Sequence, residues 1–405
     1  MAEIDVPPYF LCPISLEIMR DPVTLSTGIT YDRENIEKWV FFDKNGTCPV
    51  TKQVLLDTGI LIPNHTLRRL IQAWCTLNAS YGIERIPTPK QLVEKAEIMK
   101  LVNDATMNPR SLTTSLRKLR LIALESDRNK RCMETAGVIE LLASVIKKDK
   151  SIPMMEDGIA SNEALSILYN LQPSKAGLKT LLTQNGDFVE SLVRVLCHGN
   201  YQSRAYAILL LKPMFEVADP CHLVSLKPEL FVQIVRVLSD QFSNQAFKAA
   251  LQILVEICPW EHNKTKAVEA DAVSVLIDLL LDTLDRRSNE MILTLLDHLC
   301  GCANGRAELL KHGAGIAIVS KKILRVSQLG SERAIKVLSS ISKFSATPSV
   351  LQEMLQVGVV AKLCLVLEVG CTMKTKERAI EILKLHSKVW KNSPCIPSNL
   401  RSSFP

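Results

Sequence analysis

Residues able to bind metal, attack as nucleophiles or shuttle protons are present in this chain but hardly ever at working spacing. In the first 80 positions the soft ligands are Cys12, Cys48, Cys75 and His65, none paired at ligand spacing, so tetrahedral zinc sites cannot be assembled. Cys300 and Cys302 stand close together, yet no second pair or nearby His completes a site. Others of the 12 cysteines, such as Cys132, Cys197, Cys258 and Cys364, fall inside apolar helical patterns and never form C-x-x-C. They read as small core residues in a reducing compartment. No Ser/His/Asp constellation, Gly-rich phosphate loop or metal-activating cluster is found. What the N-terminal stretch does offer is polar side chains that can bridge loops by hydrogen bonds and ion pairs: Ser15, Glu17, Asp21, Arg33, Glu34, Thr47 and Thr51. Which of them pair and which face water is left open.

The elements that must position these residues follow from turn and cap signals. Cys12 to Val23 has no helical period and carries Pro13 and Pro22, so it is a loop. Thr27-Gly28 marks a turn that would pair Val23 to Leu25 with Ile29 to Tyr31 in a small hairpin. Asp32 is placed to cap a helix reaching about Phe42, with Ile36, Trp39 and Val40 on one face. A second loop spans Asp43 to Thr51, with Asn45-Gly46 turning it and Pro49 stiffening it. Asn64 can cap the next helix, in which Leu67, Leu70, Ile71 and Trp74 recur at helical spacing.

Several short motifs stand in order here: Phe10-Leu-Cys-Pro-Ile14 to Val23, Thr27 to Arg33, Ile36-Glu-Lys-Trp39, Thr47-Cys-Pro-Val-Thr51 and Ile62-Pro-Asn-His-Thr-Leu-Arg-Arg69. Together they resemble a U-box, the zinc-free relative of the RING finger found in ubiquitin ligases. The resemblance implies a small α+β domain whose two loops and central helix dock a ubiquitin-conjugating enzyme charged with ubiquitin. The matching positions are Ile14 and Leu16 in the first loop, Trp39 on the helix and Pro49 in the second loop. Taken alone, Ile14 and Trp39 read more readily as core. Lys52 stands where many such ligases have an Arg bridging the conjugating enzyme and ubiquitin, a bidentate contact that Lys cannot make. The implied mechanism is orientation of a thioester for attack by a substrate lysine, with no covalent intermediate on the ligase and no cofactor.

The 405 residues allow two or more domains, and 47% hydrophobic against 5% aromatic content favours stacked helices over β-sandwiches. No apolar run reaches the roughly 18 residues of a membrane span, and Met1 to Pro8 lacks the pattern of a signal peptide, so the expected location is cytosol or nucleus. The net charge of +7 is mild, and the basic stretch Arg117 to Arg131 has no interleaved aromatics for base stacking. It reads as a solvated helix face, with no nucleic acid implied.

We place the domain boundary near Ile83, giving a U-box over residues 5–82, a linker over 83–108 with one helix at Gln91 to Val102, a repeat domain over 109–391 and a tail over 392–405. The repeat is visible as Ala136-Gly-Val-Ile-Glu-Leu-Leu to Ile146, recurring from Asn185, Pro228, Ala270, Gly313 and Gly358 at roughly 42 to 49 residues. Between these copies lie second helical patterns at Glu163 to Leu168, Arg204 to Leu209, Phe247 to Leu254, Glu332 to Leu338 and Glu377 to Leu383. A helix pair cannot bury its apolar face alone, so the reading is an all-α armadillo-like solenoid of about six repeats. Asp149 to Gly158 fits no helix and is expected to be a mobile loop. The concave side is expected to hold protein substrates, with Arg204, Lys248, Asp297 and Arg333 as candidate contacts. Importin-like binding of basic peptides is not expected, because Trp260 and Trp390 stand in no Trp-x-x-x-Asn array.

As a whole the chain resembles plant U-box ubiquitin ligases with armadillo repeats, in the branch associated with stress and immune signalling. Thr76 to Pro89, Ala267 to Glu269 and Lys321 to Gln328 extend that resemblance. Two alternatives are a non-catalytic armadillo scaffold and a ligase that uses its own cysteine as acceptor. Intact Ile14, Trp39 and Pro49 argue against the first, and the lack of a HECT-like or RING-between-RING domain against the second. Self-association is left open.

Overall fold

The structure is a computed structural model that describes residues 5–42, 45–55, 61–81, 83–84, 93–148, 157–183, 188–224, 226–282 and 285–391. It divides into two compact units, the first ending at Leu92 and the second starting at Val93.

In the first unit β1 (Pro22–Thr24) pairs antiparallel with β2 (Thr30–Asp32), Val23 opposite Tyr31, and the turn is closed where Gly28 takes φ +80. That left-handed backbone suits glycine, and Gly28 N–H donates to the Leu25 carbonyl at 2.9 Å. The helix after β2 is α1 (Arg33–Glu37), which widens into a π-helical turn over Lys38–Phe42. The sequence reading missed β3 (Ile62–Pro63), a two-residue strand on the other side of β1, too short to carry alternation. Then comes α2 (His65–Leu77), capped as expected by Asn64, whose side chain accepts from Leu67 N–H at 3.0 Å. The core gathers Phe10, Cys12, Met19, Val23, Tyr31, Ile36, Cys48, Ile71 and Cys75.

The second unit opens with α3 (Lys95–Met107) and α4 (Pro109–Glu125). The helix we assigned to a linker is α3, and it belongs to this unit: Ile98 and Ala105 are buried in the repeat core and the helix packs along α4. An amphipathic helix next to an open end of stacked repeats buries its apolar stripe there. Six triplets follow. Each begins with a short helix: α5 (Asp127–Thr135), α8 (Lys175–Thr183), α11 (Pro220–Val224), α14 (Glu261–Glu269), α17 (Ala303–Lys311) and α20 (Pro348–Gln356). The second helices are α6 (Val138–Lys148), α9 (Phe188–His198), α12 (Pro228–Asp240), α15 (Ala272–Asp282), α18 (Gly315–Lys322) and α21 (Val359–Glu368). The third are α7 (Asp157–Leu171), α10 (Tyr201–Glu216), α13 (Asn244–Ile257), α16 (Arg286–Leu299), α19 (Gln328–Phe344) and α22 (Met373–Leu385), with a last turn α23 (Ser387–Trp390). Most of the loop expected at 149 to 158 lies outside the described residues, as does the tail 392–405, while Asp157 and Gly158 open α7.

Two sequence features build each triplet. Between short and second helix the chain turns through a left-handed residue, Gly137, Asp271 or Gly358 at φ +82, +61 and +77, which explains the recurrent Ala-Gly and Ala-Asp starts of the repeat. Before the third helix a small polar residue caps it: Asn200, Ser243, Asp285, Ser327 and Thr372 each accept from the amide three residues on. The third helices then pack one on the next, from α4 through α7, α10, α13, α16 and α19 to α22, as a ladder. Each contributes one buried residue followed at three and four places by two more: Leu119, Ile122 and Ala123 in α4, Ala164, Ile167 and Leu168 in α7, Ala334, Val337 and Leu338 in α19.

Candidate functional site

The two loops of the first unit are built on one template. Cys12-Pro-Ile-Ser-Leu-Glu-Ile18 and Cys48-Pro-Val-Thr-Lys-Gln-Val54 match position by position, and so does their backbone. In each, the Cys N–H donates to the carbonyl five residues on, Glu17 or Gln53, at 2.8 Å, and the Cys carbonyl accepts from Leu16 N–H at 2.8 Å or Lys52 N–H at 2.9 Å. Leu16 and Lys52 both take left-handed backbone, φ +60 and +59, which aims them out of their loops. Among the described residues the second loop reverses at Pro49–Thr51, and the expected Asn45-Gly46 turn borders residues 43–44, which lie outside them.

Hydrogen bonds to sulfur tie each loop to the scaffold. Asp32 N–H donates to Cys12 Sγ at 3.3 Å, and Asn35 Nδ2 donates to Ser15 Oγ at 3.1 Å. At the other loop Thr27 Oγ1 lies 3.4 Å and Tyr31 Oη 3.0 Å from Cys48 Sγ, and Val50 N–H reaches Tyr31 Oη at 3.3 Å. Burial pushes the Cys48 thiol up, but hydrogen bonds from Thr27, Thr51 and Tyr31 outweigh it and hold the thiol down to about 6; burial in turn raises the Tyr31 phenol. The Asp32 carboxylate does not cap α1. It accepts from Arg20 N–H at 2.9 Å and Asp21 N–H at 2.7 Å, because the first loop brings those two amides closer than the helix brings its own. Arg33 Nε donates to Asp21 Oδ2 at 2.6 Å, and Arg68 approaches the same carboxylate at 3.5 Å. Of the bridging candidates, Asp21, Arg33, Ser15 and Thr51 pair, Thr47 serves through its carbonyl, and the Glu17 and Glu34 side chains are exposed.

The outer surface of this lock is apolar. Leu16 is 74% exposed, Val50 is 52% exposed, and Ile14, Trp39 and Pro49 are half-buried. Ile14 and Trp39 also pack on the core, so each serves both as core and as surface. Trp39 Nε1 donates to the Thr47 carbonyl at 2.8 Å, and Lys52 Nζ lies 5.8 Å from the Trp39 ring centroid. Val50 was missed in the sequence; the duplicated Cys-Pro-apolar motif, which makes it the counterpart of Ile14, was the signal.

The four residues proposed for the repeat surface fare differently. Arg204 is buried and held by Asp240 at 2.6 Å, its guanidinium 4.8 Å from the Phe242 ring centroid. It occupies the ladder position three before the first core residue, which is buried as Leu116 in α4, Ser161 in α7 and Ser331 in α19. The helical patterns that start at Glu163 and at Arg204 therefore differ in register by two residues, and Arg204 corresponds to Ser161. Asp297 and Arg333 bind each other at 2.7 Å, from α16 to α19. Lys248 is exposed and 4.0 Å from Asp285.

Against known proteins, the family model described as the plant U-box protein ARM repeat region matches residues 95–404, and the U-box domain model matches residues 6–80. The chain belongs to the plant U-box proteins with armadillo repeats. Among its relatives, E3 ubiquitin-protein ligase PUB23 of Arabidopsis thaliana is 56% identical over 408 residues, covering 100% of this chain and 98% of that protein. E3 ubiquitin-protein ligase PUB22 of the same plant is 52% identical, covering 100% of this chain and 99% of the relative. E3 ubiquitin-protein ligase PUB24 is 39% identical, with coverage of 98% and 96%. The U-box match spans both Cys-Pro loops, and the repeat match begins at Lys95, the first residue of α3.

Proposed function

We propose that this chain is a ubiquitin ligase whose U-box docks a ubiquitin-charged conjugating enzyme on Ile14, Leu16, Trp39, Pro49 and Val50, while the armadillo repeats hold the protein substrate. The observation that carries this reading is the pair of matched loops that raise an apolar surface over a hydrogen-bonded base in a U-box. A large side chain held out at 74% exposure on left-handed backbone has a structural cost and no internal partner, which suits a docking contact. The chemistry belongs to the conjugating enzyme: a substrate lysine attacks its thioester carbonyl, an isopeptide bond forms and the enzyme's thiolate leaves. The ligase contributes orientation. Lys52, with its Nζ 5.8 Å from the Trp39 ring centroid, offers a single positive charge to the docked complex. Action in stress or immune signalling is part of the same proposal and rests on the family resemblance alone.

The test is discharge of a ubiquitin-loaded conjugating enzyme by the full chain and by Leu16→Ser and Val50→Ser variants. Loss of discharge with unchanged melting is the expected result. Full discharge by a variant that combines Leu16→Ser with Val50→Ser would remove the docking surface from these loops.

A further inference from the structure

Because the ladder helices share one burial pattern, their open sides can be compared position by position. The residue two places after the first core residue is Leu121 in α4, Ser166 in α7 and Leu209 in α10, but Gln252, Thr294, Lys336 and Glu381 in α13, α16, α19 and α22. Five places after it stand Leu124 in α4, Tyr169 in α7, Lys212 in α10 and Val255 in α13, then Asp297, Ser339 and Lys384 in α16, α19 and α22. The open side therefore gathers its large apolar and aromatic side chains on the first three helices, interrupted by Ser166 and Lys212, and is polar over the last four except at Val255. Leu121 and Leu124 are 64% and 60% exposed. Tyr169 and Tyr206 lie 4.9 Å apart at 32°, joining α7 to α10 on this side. At the far end the charges are already matched within the repeats: Arg333 to Asp297 at 2.7 Å, Lys336 to Glu332 at 3.0 Å and Lys343 to Glu381 at 2.7 Å.

The charge on the stripe that carries the exposed leucines is basic. Arg110, Arg117, Leu121 and Leu124 fall on one stripe of α4, and Arg117 and Lys118 are exposed beside the leucines. Of the nearby acids, Glu163 is engaged by Arg120 at 3.3 Å and Glu125 takes a bond from Asn129 at 3.4 Å.

We propose that substrates are read at this end, over α4, α7 and α10, and that the occupant is a segment of another protein with bulky apolar side chains beside a short acidic run. The proposal rests on the reading that the repeats hold the substrate and names the chemistry they read. Charge complementarity selects the occupant. The chain's own segments 85–92 and 392–405 contain no Asp or Glu, residues 149–156, which include Asp149 and Glu156, are tied at both ends between α6 and α7, and two copies meeting through this stripe would set arginine against arginine. Burial of the leucines and tyrosines supplies affinity, and the acidic run fixes the register.

The test is a display library of random 16-residue peptides selected on the full chain, followed by titration of the synthetic consensus peptide. The expected selection is rich in Leu, Phe or Tyr beside Asp or Glu. Its affinity should fall at least tenfold in Leu121→Ser/Leu124→Ser and in Arg117→Glu, weaken as salt rises, and stay unchanged in Gln252→Ala. Both ladder variants alter exposed side chains, and unchanged thermal melting will show that they fold. A basic consensus, or affinity indifferent to the leucines, would overturn the proposal. Loss in Gln252→Ala or Lys336→Ala instead would move the reading site along the ladder and leave the repeats as substrate reader. No selection at all would overturn both readings.

Discussion

Cys48 shows how this fold uses a buried thiol to hold a loop. Its sulfur is wholly buried, yet three hydroxyls hold its thiol down to about 6 against an ordinary 9.0. The folded state then loses its proton first, so between about pH 6 and pH 9 the unfolded chain binds more protons and stability rises with pH. The gain is complete above the unfolded value and is lost as pH falls through the folded one. For a fragment of residues 1–92, the urea midpoint should climb across that window, and Cys48→Ala should flatten the climb; an unchanged slope would assign it to another group. Leu16 and Trp39 separate two effects that the sequence left merged. Exposed Leu16→Ser should lose conjugating-enzyme binding at constant melting temperature. Trp39→Ala removes the bond to Thr47 as well as surface, so it should lower both, by about 2 kcal/mol or more in stability. Equal melting of Trp39→Ala and the parent protein would confine that residue to docking.

At the level of elements, what was legible followed from local chemistry. Asn64 as a cap, the Gly28 turn and the repeat starts at Gly137 and Gly358 each depend on a residue's own conformational preference or on a partner a few places away. Asp32 was misread because its competitors, the Arg20 and Asp21 amides, come from a loop eleven or twelve residues back. Arg204 was misread for a related reason. A two-residue slip in a helix turns a side chain by about 200°, and only the burial of neighbouring helices fixes the register. The corrected register has a consequence for stability: Arg204→Ala leaves a cavity between α10 and α12 and strips Asp240 of its bond, costing about 3 kcal/mol. Arg236→Ala, which removes a longer contact to the same carboxylate from a half-exposed side chain, should cost under about 1 kcal/mol. Chemical denaturation of the two variants would check the order, and a smaller loss for Arg204 would mean that the pair is solvated.

Across the whole molecule, each of the two compact units has its own core, and neither core includes residues of the other. Units with separate cores can be exchanged without dismantling either. If docking belongs to the U-box and reading to the repeats, joining residues 93–405 to a different U-box should carry the choice of substrate with it. The same transfer made from residue 109 should fail. It would leave out α3, whose Ile98 and Ala105 lie in the repeat core and whose packing covers α4. An uncovered end exposes apolar surface, and a solenoid missing its terminal cap loses solubility and then its first repeats. Because α4, α7 and α10 are the helices proposed to read substrate, the loss would fall there first. Ubiquitination of one substrate by both chimeras, with circular dichroism of each, decides the matter. Full transfer from residue 109 would show that α3 is dispensable, while failure from residue 93 with both cores intact would take substrate choice away from the repeats.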